Sequence, residues 1–178
     1  LRGVASGMLS YANLAEDAEI APKTAKMWIR ALEKLYLIFL ITPYTASVKR
    51  SLSKTPKVYF SAQGDLLEQS EGVRIENAVV LNLLKRLHFI EDAFGDRVGL
   101  HYLRNKDGRE VDFVITQNRK AVALIEVKKS FQEPDPSLLY FKRQLGIETC
   151  IQLHSEESQK PVVKQGVRIE SIQSFFNQ

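Results

Sequence analysis

Two predicted strands joined by a short polar turn constrain the fold of this chain more than any other feature. The strands cover residues 109–116 and 121–128, and the turn consists of Gln117, Asn118 and Arg119. A turn this short returns the chain directly, so the two strands must pair antiparallel. The sequence therefore predicts a β-hairpin, and the domain that contains it must be built around a sheet.

Three ionisable side chains are predicted on one face of this hairpin. Glu126 and Lys128 are two residues apart, so both project from the same side of their strand. If the hairpin pivots on Asn118, Asp112 pairs with Leu124 and shares that face, whereas a shift of one residue would turn it away. Two carboxylates on adjacent strands can hold Mg²⁺, and a lysine beside them can position or deprotonate a water, or stabilise a phosphorus centre. The alternative is a simple Glu126–Lys128 ion pair with Asp112 at an exposed strand edge.

A fourth acidic residue, Glu76, lies on the apolar side of a helix predicted over residues 71–87. The apolar stripe of that helix consists of Val79, Val80, Leu83, Leu84 and Leu87. A carboxylate buried without a partner costs several kcal/mol, so a cation or hydrogen-bond donor should face Glu76. Glu76 then completes or orients the metal site, or it is only the polar end of the stripe.

Residues 1–60 show the pattern of a winged helix-turn-helix. Ser10 can cap a short helix over residues 11–17, and Pro22 suits the first position of a longer helix. Strands are predicted over residues 37–41 and 57–60. The apolar residues of the longer helix repeat at helical spacing: Ala25, Trp28/Ile29, Leu32 and Leu35/Tyr36.

Basic residues give this N-terminal part an excess of positive charge within a chain of formal net charge +4. Lys23, Lys26 and Arg30 lie on the face that a recognition helix presents to DNA. A second basic stretch contains Lys49, Arg50 and Lys54 with no acidic residue between them. Both features indicate a nucleic-acid surface, although a winged helix can also dock proteins and a basic stretch can be a solvated loop.

Composition excludes several classes of function. The chain contains one cysteine, which rules out an internal disulfide and favours the reducing cytoplasm. It has no GxxxxGK[ST] loop, so it should not hydrolyse ATP by itself. Its longest apolar run, residues 35–41, is too short to span a bilayer, so no membrane association is expected. We also expect the chain, which starts Leu1-Arg2, to be a piece of a longer protein.

The motifs around Asp112 and Glu126-Val127-Lys128 resemble those of the PD-(D/E)XK nuclease superfamily. More closely, the chain resembles the C-terminal domain of unknown function in a bacterial and archaeal family of AAA+-type ATPases. Besides the two strand motifs, the matching segments are Pro22-Lys23-Thr24-Ala25-Lys26-Met27-Trp28, Leu35-Tyr36-Leu37-Ile38, Pro56-Lys57-Val58-Tyr59-Phe60 and Ile75-Glu76-Asn77. The resemblance covers nearly the whole chain.

This resemblance implies an α/β (α+β) protein in which a restriction-endonuclease-like domain, residues 61–178, follows the winged helix. That domain would have a mixed central sheet flanked by helices. Glu76, Asp112, Glu126 and Lys128 carry over as the catalytic positions, and Asp112 and Glu126 as ligands of Mg²⁺. The partners implied are DNA and an upstream ATPase domain of the same polypeptide, which would bind ATP and could mediate oligomerisation.

Three functions remain open at this stage. The chain could be a metal-dependent phosphodiesterase that acts on DNA. It could instead be an inactive DNA-binding or regulatory module attached to the ATPase, or a protein-docking module that never meets nucleic acid.

Overall fold

The computed structural model describes residues 2–45, 55–157 and 160–177. Its contacts divide the chain into two compact units, Leu1–Asn77 and Ala78–Gln178. The structure combines helices with a two-stranded and a six-stranded sheet, so the mixed α/β class predicted from the sequence is confirmed. The two domains predicted over residues 1–60 and 61–178 remain predictions.

The first unit contains two helices followed by a hairpin. The elements are α1 (Tyr11–Asp17), α2 (Pro22–Lys34), β1 (Ile38–Ile41) and β2 (Lys57–Phe60), after which α3 (Glu71–Phe94) begins. The hydroxyl of Ser10 accepts a hydrogen bond from the backbone N–H of Asn13 and caps α1, and Pro22 starts α2. β1 and β2 pair antiparallel. The predicted helices and strands of this part are therefore confirmed.

The apolar residues that repeat at helical spacing along α2 are not all buried. Ala25 and Ile29 are buried, but Trp28 is 52% exposed and Tyr36 is 84% exposed. The helix stops at Lys34, and the backbone N–H groups of residues 36 and 37 turn back to the carbonyls of residues 33 and 32. This Schellman ending places Tyr36 in the left-handed region, at φ 56°, where the helical spacing no longer applies. The apolar repeat predicted for α2 is therefore buried at Ala25 and Ile29 but exposed at Trp28 and Tyr36.

The second unit is built on a six-stranded mixed sheet with the strand order β3-β4-β5-β6-β8-β7. The strands are β3 (Val98–Arg104), β4 (Glu110–Gln117), β5 (Lys120–Lys128), β6 (Thr149–His154), β7 (Val162–Lys164) and β8 (Val167–Ser171). The central pairs β5–β6 and β6–β8 are parallel, and the outer pairs are antiparallel. The carboxyl ends of three adjacent strands consequently meet at one edge of the sheet.

Helices α4 (Pro136–Leu145) and α5 (Ile172–Phe176) complete the second unit. α4 contacts β4 and β5 and buries Leu138 and Phe141. The stripe predicted for α3 is largely buried, including Val79, Val80 and Leu83. Among the described residues, no helix is both long enough and apolar enough to cross a membrane.

Candidate functional site

The β4–β5 hairpin is closed by a two-residue turn at its tip. Gln117 pairs with Lys120, and the turn residues Asn118 and Arg119 have φ values of 51° and 67°. Two consecutive positive φ values are the mark of a type I′ turn, whose twist matches that of paired strands. A regular hairpin continued from this turn would place Asp112 opposite Ile125, on the wrong face for a joint site with Glu126.

A β-bulge corrects this register. Thr116 pairs with Ala121 but Ile115 pairs with Ala123, so Val122 is an additional residue in β5. Beyond the bulge the pairing is shifted by one residue. Each residue in the amino-terminal half of β4 therefore shares a face with a different set of β5 residues than in a regular hairpin. Bulges are common beside active sites because they re-aim side chains in this way.

The bulge brings the two predicted metal ligands together. The ladder reaches Phe113 opposite Ile125, and one step further the backbone N–H of Val127 donates to Asp112 Oδ2 at 2.9 Å. The N–H of Asp112 in turn lies 3.4 Å from Glu126 Oε2. The predicted pairing of Asp112 with Leu124 is wrong, because Leu124 pairs with Val114. The shift amounts to two residues, so Asp112 stays on the predicted face.

Lys128 lies between two carboxylates. Its Nζ is 2.8 Å from Glu126 Oε1 and 2.7 Å from Asp135 Oδ2. The side chains are shielded from solvent, with exposed fractions of 22% for Lys128, 9% for Glu126 and 19% for Asp135. The Glu126–Lys128 ion pair considered from the sequence is therefore present, but it is partly buried and belongs to a larger cluster.

The electrostatics of the cluster follow from its burial and from crowding of negative charge. Burial, followed by the charge of Asp112, raises the pKa of Glu126 from 4.5 to about 8, although Lys128 acts in the opposite direction. Burial alone would lower the pKa of Lys128, but Glu126 and Asp135 outweigh it and raise that pKa above its ordinary value. Burial would also raise the pKa of Asp135, yet its hydrogen bond from Lys128 and those from the backbone lower it. Lys128 is accordingly a permanent cation at neutral pH.

Two further residues, Asp135 and Gln152, support the cluster, and neither is among the site residues predicted from the sequence. Asp135 Oδ1 accepts from the N–H of Ser137 at 2.7 Å and so caps α4. The N–H of Asp135 donates to Gln152 Oε1 at 2.8 Å, and Gln152 Nε2 donates to the carbonyls of residues 132 and 133. Gln152 is 1% exposed and pairs with Glu126 across β5 and β6. An aspartate directly before Pro136 is a typical helix-capping signal, and it could have revealed Asp135.

Glu76 belongs to the first unit, where it has both kinds of partner expected from the sequence. Its Oε1 accepts from the hydroxyl of Tyr59 at 2.7 Å and lies 3.3 Å from Lys57 Nζ. The expectation that a cation or donor faces this carboxylate is confirmed. The next residue, Asn77, is fully buried and bonds both the N–H and the carbonyl of Phe60 at 2.9 Å. The catalytic role of Glu76 remains a prediction.

The basic residues predicted to contact nucleic acid are only partly described. Lys23, Lys26 and Arg30 are exposed on α2, and Lys26 Nζ lies 6.0 Å from the centre of the Tyr11 ring. The exposed residue Met27 lies among them in the sequence. The other three basic residues lie outside the described residues: Lys49, Arg50 and Lys54.

The donor set at Asp112 and Glu126 fits a hard divalent cation. Both ligands are carboxylates. Burial and then the negative charge of Asp112 raise the pKa of Glu126, and a bound cation would offset this repulsion. Mg²⁺ typically binds through one or two carboxylates and retains several waters. In the described part of the chain, no cluster of three or more His, Cys, Asp or Glu residues could hold a metal. A cation here would therefore depend on these two side chains and on water.

His154 ends β6 beside this cluster without contributing a visible polar contact. It pairs with Lys128 across the parallel strands and is 2% exposed. Neither ring nitrogen has a hydrogen-bond partner among the described residues, and the Phe131 ring packs nearly perpendicular to the imidazole, with ring centres 5.6 Å apart. A buried imidazole N–H without an acceptor costs about 1 to 3 kcal/mol.

Comparison with known proteins identifies families but no relative of known function. Residues 1–67 match a domain of unknown function, DUF8612, and residues 71–175 match a second one, DUF4143. No curated protein and no solved structure matches the chain. The second match covers more than half of the sequence. The chain therefore belongs to the family defined by the domain of unknown function DUF4143.

Proposed function

We propose that this chain is the C-terminal part of an AAA+-type ATPase and carries a Mg²⁺-dependent phosphodiesterase module of the PD-(D/E)XK type that acts on DNA. One observation carries the proposal. A bulge in the central hairpin sets Asp112 beside Glu126, and Lys128 lies on the same face at 2.8 Å from Glu126. Two carboxylates and a lysine on adjacent strands are the groups that metal-assisted hydrolysis of a phosphodiester requires.

The residues divide the chemistry between them. Asp112 and Glu126 would hold the cation, which when bound activates a water and neutralises charge that builds on the phosphate. Lys128 is a cation whose pKa is raised, so it is unsuited to accept a proton from water. Its role in this proposal is to stabilise negative charge on the phosphoryl oxygens. Of the alternatives considered for this lysine, the electrostatic one is therefore favoured.

The order of elements supports the finer fold assignment. Two helices and a hairpin in the first unit match the plan of a winged helix-turn-helix. In the second unit, a helix, an antiparallel hairpin sheet, a helix and parallel strands follow in the order expected for a restriction-endonuclease-like domain. Glu76 is included among the proposed catalytic residues because of the resemblance to the nuclease superfamily alone.

DNA is the proposed substrate because cationic groups are exposed in both units. Lys23, Lys26 and Arg30 provide phosphate contacts on α2. In the second unit the Arg109 guanidinium lies over the Tyr140 ring, with Cζ 4.4 Å from the ring centre. Arg109 lies three positions before Asp112 in the sequence. The proposal also includes DNA contacts by the basic stretch at Lys49, Arg50 and Lys54. It further includes an upstream ATPase domain that binds ATP and mediates oligomerisation, and a cytoplasmic location.

The test is cleavage of DNA by the purified chain in Mg²⁺ and in Mn²⁺. Duplex, single-stranded and branched DNA are supplied, and Asp112→Asn, Glu126→Gln and Lys128→Met are compared with the unmodified protein. Each substitution should reduce cleavage at least about 100-fold, since each removes a group that stabilises the transition state. Glu110→Gln is the matched control, because this residue lies on the same strand and pairs with Arg104 instead. Equal cleavage by all variants would show that a contaminant produces the activity.

A second function, an inactive regulatory module that binds DNA or protein, is favoured by one feature of the site. Lys128 already supplies a positive charge to Glu126, so the cluster is neutralised in part without any metal. The exposed Met27 and Trp28 on α2 also suit a protein partner. DNA binding without cleavage, weakened by salt in proportion to the phosphate contacts, would favour this alternative. Failure to bind DNA at low salt would leave protein docking.

A further inference from the structure

The lysine of the candidate site has two carboxylate partners, and only one of them is a proposed metal ligand. Lys128 Nζ is 2.8 Å from Glu126 Oε1 and 2.7 Å from Asp135 Oδ2. A cation that binds Glu126 must compete with this ammonium group for the same oxygen. The second partner, Asp135, lies outside the proposed metal ligand pair.

Asp135 is held in place independently of the lysine. One carboxylate oxygen caps α4 through the N–H of Ser137 at 2.7 Å, and the backbone N–H is bonded to Gln152 at 2.8 Å. Gln152 is almost completely buried, and its amide also binds the carbonyls of Gln132 and Glu133. The loop before α4 is therefore tied to β6. The other carboxylate oxygen, Oδ2, which accepts from Lys128, therefore has a fixed position, whereas the lysine side chain is long and rotatable.

We propose that Asp135 is a positioning residue that holds Lys128 in the site when a divalent cation takes Glu126. In the metal-free protein the ammonium group is shared between the two carboxylates. When the cation binds, Lys128 leaves Glu126 and stays on Asp135, which faces the same site. Gln152 acts one step further out by fixing the loop that carries Asp135. This inference rests on the proposed function of the site.

Removal of Asp135 should therefore impair metal binding through the lysine. With Asp135→Asn, Lys128 has only Glu126 as an anionic partner and competes harder with the metal. Asparagine caps a helix about as well as aspartate, and the backbone N–H to Gln152 is unchanged, so the fold should be retained. Lys128→Met removes the competing cation, so in that variant no ammonium group remains for Asp135 to position.

A double-mutant cycle on Mn²⁺ affinity tests this mechanism by calorimetry on the full chain. Asp135→Asn should weaken Mn²⁺ binding about tenfold when Lys128 is present, as expected for loss of a charge-assisted contact. In the Lys128→Met background the same substitution should change the affinity less than about twofold, because no lysine remains to be positioned. Glu133→Gln is the matched control, since this nearby carboxylate pairs with Lys164 and should leave the affinity unchanged.

Each outcome decides between the two claims. If Asp135→Asn weakens Mn²⁺ binding equally in both backgrounds, Asp135 acts through its own charge, and the positioning role is overturned while the metal site stands. If the unmodified chain binds no Mn²⁺, both the positioning role and the proposed function are overturned. A crystal structure with Mn²⁺ gives an independent readout. Lys128 Nζ should then contact Asp135 and no longer Glu126, and retention of the Glu126 contact would contradict the inference.

Discussion

The raised pKa of Glu126 predicts a dependence of stability on pH that one substitution should remove. In the unfolded chain this carboxyl has a pKa near the ordinary value of 4.5, but in the folded protein burial and then the charge of Asp112 raise it to about 8. Between these values the folded protein binds one more proton than the unfolded chain. Ionised Glu126 therefore destabilises the fold, and the free energy of unfolding falls as the pH rises from about 4.5 to about 8.

The size of the effect follows from this difference of one proton. The free energy of unfolding should fall by about 1.4 kcal/mol for each pH unit in that window, or about 2 to 3 kcal/mol between pH 5.5 and 7.5. Glu126→Gln cannot ionise and should lose this component. Urea denaturation at a series of pH values, without added metal, measures the difference between the two proteins. The other ionisable groups are common to both proteins, so the difference between the two pH profiles reports on Glu126 and the groups that contact it.

A second variant checks the cause of the shift. Asp112→Asn removes the negative charge that is the second contribution to the raised pKa, so the pKa of Glu126 in the folded protein should fall, and the decline in stability should end at a lower pH and be smaller in total. Parallel pH profiles for the unmodified protein and Glu126→Gln would refute the electrostatic account of the site. Glu126 would then ionise in the folded protein as readily as in the unfolded chain.

Three further predictions concern residues other than the proposed metal ligands and their lysine. Asn77→Ala should destabilise the fold by about 2 to 4 kcal/mol in urea denaturation, because the N–H and carbonyl of Phe60 both lose a buried partner. Tyr36→Gly should raise the thermal midpoint and stabilise by up to about 1 kcal/mol, because glycine adopts φ 56° without strain. His154→Leu should be neutral or stabilise by about 1 kcal/mol, since it removes two buried nitrogens without partners; a marked loss of stability would indicate a bond that the ring makes in solution.

The elements of the fold could be predicted from the sequence because local signals determine them. The cap at Ser10 and the proline at the start of α2 each act within a few residues, and the structure contains both of them as expected. The partner of Glu76 could also be anticipated, since burial of a carboxylate demands one. Tyr59 and Lys57 lie 17 and 19 residues before Glu76, on a different element, so only the existence of a partner followed from the sequence.

The geometry of the candidate site depended on details that the sequence does not display. The face of Asp112 depends on the number of residues in a bulge at Val122, and nothing distinguishes this valine from its neighbours in β5. The role of Asp135 depends on a parallel crossover that returns the chain beside β5, which periodicity does not reveal. Long-range register and pairing, rather than local propensity, account for what was missed.

Titration of the chain with Mg²⁺ and Mn²⁺ by calorimetry determines whether Asp112 and Glu126 bind a divalent cation. We expect saturable binding by the unmodified protein that is lost in the Asp112→Asn/Glu126→Gln double variant, while that variant remains folded. Absence of saturable binding, even with DNA present, would show that these side chains hold no metal ion. The cluster at Asp112, Glu126 and Lys128 would then be a structural ion-pair network on a scaffold that serves another purpose.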